Sequence, residues 1–140
     1  MRFGILGPLQ VADDEGHEVV LAAPKQRALL AILLLHANEV VSCDQMVEEL
    51  WAGEPPAKAA KNLQVHVSRI RRALGETGQD ARERLVTVAG GYLLRVAPGE
   101  LDSERFERLI ADGNALLEAG RPELAAAKLR DALAFGVARR

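Results

Sequence analysis

Between Lys58 and Arg72 the chain carries five cationic side chains, Lys58, Lys61, Arg69, Arg71 and Arg72, and no Asp or Glu. Their spacing matters as much as their sign. Leu63, Val67, Ile70 and Leu74 recur at i, i+4, i+7 and i+11, the stripe that a helix buries. At about 100° per residue, Lys61, Val65, Ser68 and Arg72 fall on the opposite side, with Gln64 and Arg69 at its edges. Such a face is equipped for nucleic acid. Arg and Lys pair with guanine O6 and N7 or with phosphate, Gln pairs with adenine N6 and N7, and an exposed Val65 can meet a thymine methyl. Lys61 and Asn62, near the helix start, suit phosphate or base edges, whereas Arg71 and Arg72, near its end, suit backbone phosphates. His66 lies toward the core flank, where two readings stay open, a packed histidine or a phosphate contact. A merely solvated helix face mixes both signs of charge; here the acids are missing.

The whole chain argues less plainly. Its net charge is −2 over 140 residues. Eleven cationic and twelve acidic side chains precede residue 98, and seven and eight follow it. Neither part is basic overall, so the local stripe carries the phosphate argument. An apolar fraction of 49% suffices for a core. The longest apolar run, Ala28 to Leu35, has eight residues, far short of the ~18–20 that cross a bilayer. The N-terminal residues turn acidic too soon for a signal peptide. A cytoplasmic protein is expected. Cys43 is the sole cysteine, which excludes an internal disulfide and cysteine-rich metal sites; it reads as a small structural residue. No GxxxxGK[ST], GxSxG, HExxH or CxxC occurs, and His17, His36 and His66 share no ligand spacing. No enzyme, catalytic residue, cofactor or metal is expected.

The elements that must position the basic helix follow in order. Arg2–Leu6, Leu9–Val11 and His17–Leu21 read as strands of a small antiparallel meander, broken by Gly7-Pro8 and by Asp13-Asp14-Glu15-Gly16. Pro24 opens a helix from Lys25 to about Asn38, with Leu29, Ile32, Leu33 and His36 on one stripe and Leu30, Leu34 and Leu35 widening it. Val40-Val41 is a short extended link. Ser42-Cys43-Asp44-Gln45 has the form of a capping box opening a helix to Trp51, and Gly53-Glu54-Pro55-Pro56 ends it. The basic helix spans about 57–74, stopped at Gly75. After a polar loop (76–84), two β-rich runs flank Ala89-Gly90-Gly91, so 85–96 is a hairpin. Pro98-Gly99 marks a boundary, beyond which 102–119 and 122–135 form a helix pair. A short helix, a basic helix and then a hairpin is the order of a winged helix-turn-helix.

Residues 62–74, Asn62-Leu63-Gln64-Val65-His66-Val67-Ser68-Arg69-Ile70-Arg71-Arg72-Ala73-Leu74, resemble the recognition helix of OmpR/PhoB-type winged-helix domains. Trp51-Ala52-Gly53-Glu54-Pro55-Pro56, the N-terminal Phe3-Gly4-Ile5-Leu6-Gly7-Pro8-Leu9 and Gly90-Gly91-Tyr92 are similar to the AfsR/SARP class of actinobacterial activators. Asp102–Leu109, Gly120-Arg121-Pro122 and Ala132-Leu133 resemble the opening of that class's bacterial transcriptional activation domain (BTAD). The resemblance implies an α+β winged helix-turn-helix over 1–97, with a four-stranded N-terminal antiparallel sheet, three helices and a C-terminal hairpin wing. A truncated BTAD, a TPR-like helical hairpin, would then occupy 98–140. It departs from the OmpR/PhoB pattern at Ala89, where an Arg is frequent, so the implied wing contacts are Thr87 and backbone groups.

The expected function is sequence-specific binding of double-stranded DNA and regulation of transcription. The helix at about 57–74 would enter the major groove, with the wing at about 85–96 on the backbone or minor groove. The expected DNA contacts are Lys61, Asn62, Gln64, Val65, His66, Ser68, Arg69, Arg71, Arg72 and Thr87. The resemblance implies direct repeats near promoters and RNA polymerase as partners. A protein-interaction module that dimerises with longer regulators through 102–135 is the alternative. Repeat units bury their apolar faces against neighbours. One helix pair carrying Phe106, Leu109, Ile110, Leu116, Leu117, Leu124, Leu129 and Leu133 is therefore expected to dock on the winged helix or self-associate, and to activate weakly.

Overall fold

The computed structural model describes residues 1–75 and 84–138, with side chains to 132. The polar loop read at 76–84 lies outside the described residues except for Arg84, as does the side chain of Leu133. The chain falls into two compact units, Ala12–Val96 and Met1–Val11 together with Ala97–Arg140. This division differs from 1–97 and 98–140, because the N-terminal eleven residues group with the C-terminal part. Among the described residues no helix is long and apolar enough to cross a membrane.

In the unit Ala12–Val96, Pro24 stands at the start of α1 (Pro24–Leu35), where its missing N–H costs nothing. Leu29, Leu30, Leu33 and Leu34 of α1 are buried, and this helix touches both helices that follow and the hairpin. The helix stops earlier than read from the sequence, with His36 as its C-cap, and Leu35 is exposed instead of widening the core stripe. Asn38 has a different task from the expected stop. In the left-handed region (φ 65°), its amide donates to the Val96 carbonyl (3.1 Å) and accepts from the Val96 N–H (2.9 Å). Asx side chains tolerate this backbone region and imitate a peptide group.

The short strand β3 (Val40–Ser42) runs directly into α2 (Cys43–Trp51). Ser42 caps α2, accepting from the Gln45 N–H at 3.1 Å. The reciprocal half of the expected box is not made, since the Gln45 amide donates to Glu49 at 3.4 Å. After α3 (Ala59–Gly75), β4 (Leu85–Val88) and β5 (Gly91–Leu94) form an antiparallel hairpin. β3 adds to its other side, giving the order β3-β5-β4. Ser42 lies opposite Gly91 in that ladder. A Cβ at Gly91 would collide with the Val41 carbonyl oxygen, so only glycine permits this approach.

The predicted strand His17–Leu21 does not form; Glu18 alone bridges Ala12. Val19 and Val20 have strand-forming side chains, but Val20 is 71% exposed, and a strand needs a partner for its backbone groups. The implied four-stranded N-terminal sheet is likewise reduced among the described residues, to β1 (Arg2–Gly4) paired with β2 (Gln10–Ala12) and that bridge.

In the other unit, Phe3 of β1 bridges Leu101, and its N–H donates to the Glu100 carbonyl at 2.7 Å. Leu101 leads into α4 (Asp102–Glu118), which turns at Gly120 (φ 72°) into α5 (Pro122–Ala138). The two helices meet through small residues. Gly113 lies against Leu129, and Ala125 and Ala132 are fully buried. Phe106, Leu109, Ile110, Leu116 and Leu129 are only half-buried, and Leu117 and Leu124 stay exposed.

Candidate nucleic-acid interface

The turn between α2 and α3 is set by backbone chemistry. Ala52 (φ 48°) and Gly53 (φ 85°) are both left-handed, so the chain reverses before Pro55-Pro56. Lys25 braces this corner from α1, since its ammonium donates to the Leu50 carbonyl and lies 5.6 Å from the centroid of the Trp51 ring. The orphan carbonyls at the end of a helix favour such a cation.

From there α3 runs with Leu63, Val67, Ile70 and Leu74 buried, the four positions read from the sequence. Lys58 at its entry and Lys61, Asn62, Gln64, Val65, Ser68, Arg69 and Arg72 along it are all exposed. Val65 is 41% exposed in the middle of this face. None of Lys58, Lys61, Arg69 and Arg72 forms an ion pair among the described residues. Four unneutralised cations flank amide, hydroxyl and aliphatic groups, the chemistry of a phosphate- and base-facing surface.

Two of the expected contacts stand differently. His66 is half-buried, and its Nδ1 is buried without a hydrogen-bond partner. Burial, with Arg69 and then Lys25 nearby, holds its pKa below the usual histidine value. His66 is thus a neutral ring at neutral pH, closer to the packed reading. Arg71 is half-buried as well, and its guanidinium turns away from the open face to the hairpin. Its Nε donates to the Leu85 carbonyl at 3.0 Å and its Nη2 to Thr87 Oγ1 at 2.6 Å. Thr87 itself is exposed on β4. The turn at Ala89-Gly90 is held from the start of α2, where the Cys43 N–H donates to the Gly90 carbonyl at 2.9 Å.

Three cationic residues escape a sequence reading. Lys25 is over thirty positions from the basic stripe, and Pro24 beside it, marking a helix start, is the only local hint. Arg84 and Arg95 meet at the open end of the hairpin, where Arg84 Nη1 donates to the Arg95 carbonyl at 3.0 Å. Their register is visible only once β4 and β5 are paired.

Comparison with known proteins agrees with this geometry. Residues 16–94 match the family model "Transcriptional regulatory protein, C terminal", and residues 101–135 match "Bacterial transcriptional activator domain". The chain is 40% identical over 138 residues to the regulatory protein DnrI of Streptomyces peucetius, covering 95% of this chain and 50% of that protein. It is 36% identical over 121 residues to the regulatory protein AfsR of Streptomyces coelicolor, covering 86% of this chain and 12% of that one. Among solved structures, Mycobacterium tuberculosis EmbR in complex with a low-affinity phosphopeptide superposes with a TM-score of 0.92 at 37% identity. The match covers 96% of this chain and 35% of that one. The chain therefore spans half the length of DnrI and smaller shares of the other two.

Proposed function

The chain belongs to the AfsR/SARP class of bacterial transcriptional regulators, with an OmpR/PhoB-type winged-helix domain followed by a BTAD segment, and on that premise we propose that it binds double-stranded DNA sequence-specifically to regulate transcription. In this reading α3 enters the major groove and the β4–β5 wing lies on the backbone or minor groove. Gln64, Val65 and Arg69, with Asn62 and Ser68, read base edges, while Lys61 and Arg72 hold phosphates. Thr87 serves the wing, and His66 flanks the groove as a neutral ring.

One observation carries the proposal. The face of α3 opposite its buried stripe is exposed, cationic and free of acids in a chain whose net charge is negative. An interaction module acting only through 102–135 has no use for such a face. Residues 1–97 would supply DNA binding and 98–140 part of the activation domain, with promoter direct repeats, RNA polymerase and self-association as the further partners. The site of action is the bacterial cytoplasm.

The test is binding of the purified chain to random duplex fragments, followed by sequencing of those retained and a salt titration on the enriched site. Enrichment of a defined sequence, with affinity falling steeply and log-linearly with salt, is expected. Absence of binding at any salt would overturn the reading.

A further inference from the structure

Arg71 sits in the basic stripe yet is turned inward, and its hydrogen bonds explain why. A guanidinium only donates, in a planar fork of fixed geometry. Here Nε reaches the Leu85 carbonyl and Nη2 reaches Thr87 Oγ1, two acceptors on one strand. Neither acceptor is charged, so the cation is not neutralised by the contact. The fork nevertheless fixes the distance and orientation of β4 relative to α3. Arg69 and Arg72, on either side in sequence, are exposed and make no comparable bond among the described residues.

The consequence for Thr87 is chemical. Its hydroxyl has one proton and two lone pairs. Arg71 occupies a lone pair and offers nothing that can accept the proton. The Thr87 O–H must therefore point elsewhere, and Thr87 is exposed. A hydroxyl that accepts from a cation is also polarised into a better donor.

Resting on the reading of α3 and the wing as the DNA-binding surface, we infer that Arg71 is a positioning residue: it docks β4 on α3 and aims the Thr87 hydroxyl outward as a hydrogen-bond donor to a DNA phosphate. Helix and wing then meet one duplex as a single preset body. Arg71 contributes geometry, not a counterion.

Salt dependence separates these roles. An arginine that neutralises a phosphate contributes about 0.9 to the slope of log affinity against log salt. Arg71→Ala, Thr87→Val, Thr87→Ser and the Arg71→Ala/Thr87→Val pair are compared with wild type on the selected duplex. Wild-type binding with a steep slope is the control for the underlying reading, and its absence would refute that reading alone. Arg71→Ala and Thr87→Val are each expected to weaken binding about tenfold, as for one charge-assisted or phosphate hydrogen bond. Both should leave the slope unchanged, and the double variant should lose little more than either. Thr87→Ser keeps the hydroxyl and is expected to bind within about twofold of wild type. A slope lower by about one in Arg71→Ala, or losses that add fully in the double variant, would overturn the inference. Should Arg71→Ala fail to fold, the Thr87 pair decides: equal binding by Thr87→Val and wild type would sink it.

Discussion

Ile5 donates its backbone N–H to the carboxylate of Asp102, 97 positions away, at 2.8 Å, and the N–H of Leu6 donates to the other oxygen of the same group at 3.2 Å. Asp102 is 1% exposed and opens α4, where a carboxylate also suits the helix dipole. The N-terminal segment is thereby tied to the helical hairpin of its own unit. Removing the carboxylate leaves two amides without their acceptor, so Asp102→Ala should destabilise the unit by about 1–3 kcal/mol. Chemical denaturation checks this. DNA affinity, which the proposed function assigns to α3 and the wing, should stay within twofold of wild type; a large loss would show that it depends on this tie.

On the proposed reading, the α3 residues assigned to base edges and those assigned to phosphates should separate by their pattern of loss. Gln64→Ala and Arg69→Ala are expected to cost about 1–3 kcal/mol at particular base pairs and to relax preference there. Lys61→Ala and Arg72→Ala should weaken binding evenly across sequences and each reduce the salt slope by about one. Parallel titrations on a set of single-base-pair operator variants measure both. A uniform loss from all four would mean that α3 reads only the backbone.

The two glycines of the wing should respond oppositely to substitution. At Gly90 the φ of 78° needs a residue tolerant of the left-handed region, and nothing lies within 4 Å of a new Cβ. Gly90→Asn should therefore cost little. At Gly91 a Cβ would meet the Val41 carbonyl oxygen and stand 3.0 Å from its carbon and 3.1 Å from Ser42 Cα. Those atoms are backbone in the β3–β5 ladder and cannot swing aside. Gly91→Ala should destabilise the fold by about 1–3 kcal/mol. Unchanged melting of this variant would contradict the close approach of β3 to β5.

Acid should act through His66. Burial, then Arg69 and Lys25, lowers its folded pKa below 6.5, so the unfolded chain takes up the proton first. Stability contributed by the neutral ring is present above pH 6.5 and falls away as pH drops from there through the folded value. His66→Gln has no proton to gain, and its stability should change less between about pH 7.5 and about pH 5.5. Urea denaturation of both proteins across that range measures the difference. Identical pH profiles would rule out this role.

The basic helix was legible from sequence because a helix satisfies its backbone within itself. The stripe Leu63, Val67, Ile70 and Leu74, and the exposed face opposite it, follow from a 3.6-residue period alone. The Ser42 cap was legible for the same reason, its partner Gln45 being three residues on. Strands have no such autonomy. His17–Leu21 carries strand-forming residues, yet only a partner at the right distance could have made it a strand, and Glu18 alone finds one. Three side chains took roles from remote positions. Asn38 clamps Val96, Asp102 holds Ile5, and Arg71 leaves the basic face for Thr87. The sequence by itself determined which helix carries the cations and which side of it is buried. Which of those cations remain free for a phosphate was decided only by folding, because a guanidinium goes to the nearest acceptors that its geometry can reach, and these lie on a strand distant in the chain.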